Sequence, residues 1–236
     1  MNDSSSNTIK VDIWSDIACP WCFVGKRKFE TAVAGFDGKV EVEYHSFELS
    51  PDTPVDFEGD EVDFLATHKG LPREQAKGML DNMLGIAESV GLHYDYDSLH
   101  HTNTVKAHEL IHFAKANGAQ LDVVERLLSA YFEKGRHLGR IDVLADIAAE
   151  AGLDREAAVA ALESNQYLAA VRADQAQAVE YGINGVPFFV FENKYGVSGA
   201  QDPATFGQVF SQVASEKTAG DEQSPRGEDA PAEVTR

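Results

Sequence analysis

The chain of 236 residues holds only two cysteines, which rules out a four-cysteine zinc site and a second cysteine pair for relaying electrons. No apolar run is long enough to span a bilayer. Basic residues are scarce: 20 Lys and Arg stand against 39 Asp and Glu, a formal charge of −19. That imbalance repels phosphate backbones and anionic lipid surfaces, so neither nucleic acid nor membrane partners are expected. The stretch from Met1 to Trp14 has no basic region followed by an apolar core and does not read as a secretory signal. With cysteine this sparse, the expected compartment is the cytoplasm. What remains is 43% hydrophobic, ample for one core with a large insertion.

Both cysteines fall in one motif, Cys19-Pro20-Trp21-Cys22, directly after the alternating run Ile9 to Trp14. The position reads as a strand handing over to a helix. Cys19 stands at the N-cap and Pro20 at the first helical position, where its missing N–H costs nothing. Cys22, Gly25, Phe29, Ala32 and Val33 follow at helical spacing. The unpaired amides and positive dipole end of such a helix would stabilise a thiolate on Cys19, making it leaving group and nucleophile. Cys22, one turn further in, is expected to be the more buried, resolving thiol. A zinc half-site lacks its other ligands, and so small a disulfide ring would constrain little of the unfolded chain. Redox chemistry is the better reading.

Along the chain, Val40, Val42 and Tyr44 alternate with polar residues as a second strand. An acidic, turn-rich link over 51–59 leads into a pattern that is helical from about 61 to 164 and broken at glycines. A further helix over about 165–181 precedes Gly185-Val186-Pro187 and the apolar run Phe188 to Phe191, which reads as a buried strand. Asn193-Lys194 suits a turn into a partner strand with Tyr195 and Val197. Asp202-Pro203 opens a last helix carrying Phe206, Val209, Phe210 and Val213 on one face. Residues 217–236, polar and without an aromatic, are expected to form a disordered acidic tail. The expected fold is α/β, thioredoxin-like, with a large all-helical insertion. The thioredoxin-like domain would comprise 8–57 and 165–216, and the insertion 58–164.

Several segments carry a resemblance: Trp14-Ser15-Asp16 leading into CPWC, Asn103-Thr104 with Ala107-His108, Gly185-Val186-Pro187-Phe188, and Ser198-Gly199-Ala200-Gln201. In these the chain resembles the DsbA-like thioredoxin superfamily over about residues 8–216, specifically its cytoplasmic FrnE-type branch. That branch neighbours the 2-hydroxychromene-2-carboxylate isomerases and kappa-class glutathione transferases. The resemblance implies a thiol–disulfide oxidoreductase or isomerase with Cys19 as nucleophile and Cys22 as resolving thiol. It also implies a cis Pro187 facing them, and Val186 offering backbone groups to an extended peptide. Pro20 and Trp21 complete the expected substrate side, with Trp21 covering the disulfide or touching the client. No histidine or lysine lies between the cysteines, so a weaker oxidant is expected than a relative that has one there. Thioredoxin and DsbA, at about −270 and −120 mV, bracket that expectation.

The expected partners are thiol or disulfide substrates, protein or small-molecule, and a homodimer is compatible with the sequence. Beyond the redox disulfide no cofactor is expected, although glutathione suits the role of co-substrate. A glutathione-dependent isomerase or transferase is the alternative. A remoter one is His108-Glu109-Leu110-Ile111-His112, a literal HExxH with Glu133 downstream, as in zinc hydrolases. Against it, Ala107, Leu110, Ile111 and Ala114 make the apolar stripe and leave both histidines at its flank, half-buried, with no metal role. Asp16 reads as a solvated strand-end aspartate able to tune the thiols by its charge, and His100 and His101 as solvated loop residues.

Overall fold

A computed structural model describes residues 8–222. Strand β1 (Thr8–Ser15) leads into α1 (Pro20–Ala34) and returns as β2 (Lys39–Ser46), parallel to β1, with Trp14 beside His45. Six helices follow: α2 (Glu61–Lys69), α3 (Arg73–Glu88), α4 (Val105–Ala116), α5 (Gln120–Phe132), α6 (Ile141–Glu150) and α7 (Arg155–Glu163). Helix α8 (Leu168–Glu180), strands β3 (Phe188–Phe191) and β4 (Tyr195–Ser198) and helix α9 (Pro203–Glu222) complete the chain order. The sheet runs β2-β1-β3-β4, with β3 antiparallel to both of its neighbours.

Period-two alternation sorts the strands between two helical layers. Ile9, Val11, Ile13, Phe189 and Phe191 face α1 and α9, where Phe29 lies 5.3 Å from Phe189 and 5.5 Å from Phe206 between ring centroids. On the other face Trp14 stacks on His45 at 4.4 Å and donates from Nε1 to the carbonyl of Asp174 on α8 (3.0 Å). That second face of β1 is therefore also covered, and Asp12 on it is buried. The β3–β4 reversal places Glu192 and Asn193 at φ of 53° and 52°, one residue earlier than the expected Asn193-Lys194 turn.

Helix α9 continues to Glu222, which shortens the expected tail: 217–222 are helical, and 223–236 lie outside the described residues. Tertiary anchoring outweighs the polar composition here. Lys217 reaches the Thr8 carbonyl (2.5 Å) and Glu192 (2.9 Å), tying the helix to the start of β1 and the residue after β3, which lie together at one end of the sheet. Among the described residues no helix is long and apolar enough to cross a membrane.

Candidate active site

The β1–α1 turn delivers the motif as its spacing predicts. Cys19 is the N-cap of α1, in extended backbone, and Pro20 begins the helix. The Cys22 amide donates to the Cys19 carbonyl (3.0 Å), so the two cysteines share the first turn. Both are unpaired thiols and both are buried. Cys19 lines a cavity of about 330 Å³ together with Pro20, Trp21 and Val186, while Cys22 sits behind it. The Cys19 thiol donates to the Val186 carbonyl (3.5 Å). Burial first, then the hydrogen bond and charge of Cys19, push the Cys22 thiol well above its usual range. The pair is thus asymmetric: one sulfur borders open space, and the other is enclosed and held protonated.

The Val186–Pro187 peptide is cis. Pro187 packs on Gly25 of α1, where a Cβ would stand 2.9 Å from the proline Cγ and 3.4 Å from the Ala200 Cβ. Only glycine lets the helix approach this closely. Trp21 is 43% exposed and borders the cavity beside Cys19. From the loop between α3 and α4, Tyr94 donates its hydroxyl to the Pro20 carbonyl (2.7 Å), a contact the sequence did not signal.

Asp16 departs from expectation. It is 1% exposed, because α4 covers the end of β1. Its carboxylate accepts from the amides of Ala18 (3.3 Å) and Leu49 (2.8 Å) and from His108 Nε2 (3.3 Å). Burial pushes this carboxyl up, but the hydrogen bond and charge of His108 and the Leu49 amide outweigh it and hold the group below its ordinary value. His108, expected half-buried, is fully enclosed for the same reason.

The HELIH residues go separate ways. His112 Nε2 lies 3.0 Å from Asp174 Oδ2 and 3.1 Å from Ser46 Oγ. Glu109 is buried against Lys106 (2.7 Å), and Glu133 accepts from the His93 amide (3.0 Å). The motif's two histidines are thus spent on different aspartates, and its glutamate on a lysine. His101 is also buried rather than solvated, 2.9 Å from Glu61 at the start of α2, whereas His100 is exposed.

A family model described as DSBA-like thioredoxin domain matches residues 10–211. The uncharacterized protein YwbO of Bacillus subtilis (strain 168) is 31% identical over 214 residues, covering 89% of this chain and all of that one. A probable DsbA oxidoreductase from Streptomyces coelicolor superposes with a TM-score of 0.82 at 36% identity, covering 96% of this chain and 94% of its own. The cytosolic disulfide reductase DsbM from Pseudomonas aeruginosa shares the fold, with a TM-score of 0.59 at 18% identity over 91% of this chain and 98% of its own. With the family model spanning most of the sequence and both cysteines on the first turn of the helix after β1, the chain belongs to the DSBA-like thioredoxin domain family.

Proposed function

We propose that this protein is a thiol–disulfide oxidoreductase that works through a mixed disulfide on Cys19. The observation that carries the reading is the asymmetry of the two thiols: Cys19 borders a cavity at a helix N-terminus, and Cys22 is enclosed and protonated behind it. In the reducing direction the Cys19 thiolate attacks one sulfur of a disulfide RSSR. That S–S bond breaks, and the first RS⁻ leaves and takes up a proton. Cys22 then gives up its proton and attacks the Cys19 sulfur, expelling the second RS⁻. The sum is enzyme dithiol plus RSSR to enzyme disulfide plus two RSH, and oxidation of a dithiol client is the reverse. A proton must leave Cys22 for the second step, so replacing Cys22 should leave the first covalent complex without its resolving thiol.

Pro187 flanks the reacting sulfurs, and Val186 presents its backbone, with Pro20 and Trp21, to the substrate. No further cofactor enters the balance; glutathione or another thiol couple regenerates the enzyme. This chemistry, the sparse cysteines and the CPWC motif favour the FrnE-type branch and a cytosolic setting.

The test is the redox equilibrium of the two cysteines against graded glutathione ratios, read by alkylation and intact mass. A single two-electron transition is expected, together with an accumulated mixed disulfide in Cys22→Ser and no dithiol exchange in Cys19→Ser. A glutathione adduct without the two-electron transition would move the reading to a glutathione-dependent isomerase or transferase.

A further inference from the structure

A buried acceptor without a partner lies away from the cysteines, on the side of the sheet that faces α8. Lys10, Asp12 and Trp14 of β1 share that face, and the parallel register sets Asp12 beside Glu43 and Trp14 beside His45 of β2. Asp12 is buried, and its Oδ1 meets His45 Nε2 (2.8 Å) and Lys10 Nζ (3.1 Å). Its Oδ2 is enclosed and has no hydrogen-bond partner among the described residues. A carboxylate oxygen taken out of water and left unpaired calls for an explanation. One ligand atom each from Asp12, Glu43 and His45 lie within 4.8 Å of one another, with His45 Nε2 standing 3.5 Å from Glu43 Oε1.

The imidazole is held as a metal-ligating histidine is held. It stacks on Trp14 at 4.4 Å, and its Nδ1 lies 3.0 Å from Asp174 Oδ1. Asp174 is fixed in turn by His112 (3.0 Å) and the Ser46 amide (2.7 Å). A carboxylate behind Nδ1 keeps a proton on that nitrogen and leaves the Nε2 lone pair facing Asp12 and Glu43. An ion held at about 2.1 Å by one nitrogen and two carboxylate oxygens sets its ligand atoms about 3.4 Å apart. The observed 2.8 and 3.5 Å come close to that spacing, so side-chain rotation suffices to reach it. Glu43 is partly exposed, which leaves an entry path and a position for water. Two cations compete for the same oxygens: Lys10 on Asp12 and Lys115 on Glu43. Both lysines are half-exposed and can swing into solvent.

We propose that Asp12, Glu43 and His45 bind one divalent transition-metal ion of the zinc class, with Asp174 as the carboxylate behind the histidine. The imidazole nitrogen selects such an ion over magnesium or calcium, which take oxygen sets. Without the ion, a proton on each ring nitrogen lets His45 bridge Asp12 and Asp174. On binding, the Nε2 proton passes to solvent, the ion takes its place, and the Asp12 carboxylate gains its missing partner. The ion then joins β1 to β2. None of these residues lines the cavity at Cys19, so the site is independent of thiol exchange.

Zinc also binds thiolates, so the titrations use the untagged full chain carrying Cys19→Ser and Cys22→Ser, and are repeated on oxidised wild type. Calorimetry with Zn²⁺ should give a saturable one-to-one isotherm, and the melting temperature should rise with zinc. Mg²⁺ and Ca²⁺ should not compete. In [¹⁵N]histidine-labelled protein the His45 Nε2 resonance, assigned through His45→Gln, should move to the metal-ligated position while Nδ1 keeps its proton. His45→Gln should abolish binding. Glu43→Gln, a surface change that leaves the core intact, should weaken it about tenfold or more, and Asp174→Asn about tenfold. Lys10→Gln and Lys115→Gln should each tighten it several-fold, whereas Lys77→Gln on the distant α3 should not.

Absence of a one-to-one isotherm would overturn the site and leave water as the partner of Asp12 Oδ2. Binding that survives both His45→Gln and Glu43→Gln would place the ion elsewhere and overturn it equally. Sensitivity to Glu43→Gln with an unmoved His45 resonance would reduce it to attraction by acidic surface.

Discussion

Helix α4 carries His108 and His112 one turn apart, and they serve two different buried carboxylates. His108 reaches Asp16, whose other oxygen accepts the Leu49 amide. Of that pair, Asp16 lies just before the start of α1 and forms part of the cavity wall beside Cys19. His112 reaches Asp174 on α8, which also holds His45 (3.0 Å) and the Ser46 amide (2.7 Å), while His45 continues to Asp12 (2.8 Å). The first carboxylate shapes the loops beside the Cys19 sulfur. The second ties α4 and α8 to β1 and β2 away from it. Similar chemistry thus does two jobs, and the neighbours of each aspartate decide which.

Substitution at each site should separate them. Asp16→Asn removes the charge from a fully buried pair, and about 4 kcal/mol of unfolding free energy should be lost in denaturant melts. Exchange per folded molecule should fall several-fold as well, because Ala18 and Leu49, which the carboxylate positions, line the cavity. Unchanged exchange would mean that Asp16 only supports the fold. Asp174→Asn should cost about 3 kcal/mol in the same melts, since one aspartate accepts from two histidines. Its exchange rate per folded molecule should match the wild type, and a large loss of rate would erase the contrast.

The smallest expected effect is a pH dependence of the distal network. Burial lowers the His45 value, but the hydrogen bonds and charges of Asp12 and Asp174 outweigh it and raise His45 from 6.5 to about 9. The folded chain therefore binds this proton more tightly than the unfolded one. The stabilisation is complete below the ordinary histidine value and is lost as pH rises through about 9. Asp174 behaves oppositely. Burial pushes it up, yet His112, His45 and the Ser46 amide hold it below 3.8, so its contribution is present above that value and lost as pH falls. Between pH 7 and about 9.5 the wild type should lose about 2 kcal/mol more stability than His45→Gln. Parallel curves for the two proteins would remove His45 from the network.

Much of the fold could be read in advance because its signals are local. Pro20 after Cys19 marks a helix start, Asp60 and Asp154 accept from the third amide of their helices, and Gly70 adopts the left-handed conformation that ends one. The strands follow from alternation of Ile9, Val11 and Ile13 and from the Phe188–Phe191 run. The misreadings share one cause. Weighed against their own neighbours in sequence, Asp16 and His101 look solvated and His108 and His112 half-buried, yet all four are buried. Their partners lie between 40 and 92 residues away in the chain, as for His101 with Glu61 and His108 with Asp16. A polar residue on a helix flank carries no mark of the carboxylate that will meet it. The end of α9 was missed similarly, because Lys217 is anchored by Thr8 and Glu192 rather than by helix propensity.

The order of elements, the placing of both cysteines on the first turn of α1 and the acidity of the surface were determined by the sequence alone, since each depends on residue type and short spacing. The pairing of Asp16 with His108, the burial of His101 against Glu61, and the cavity walled by Met79 and Met83 were decided only by tertiary structure. Burial and desolvation are set by what packs across from a residue, and α2–α4, which pack there, lie 40 to 100 residues further along the chain.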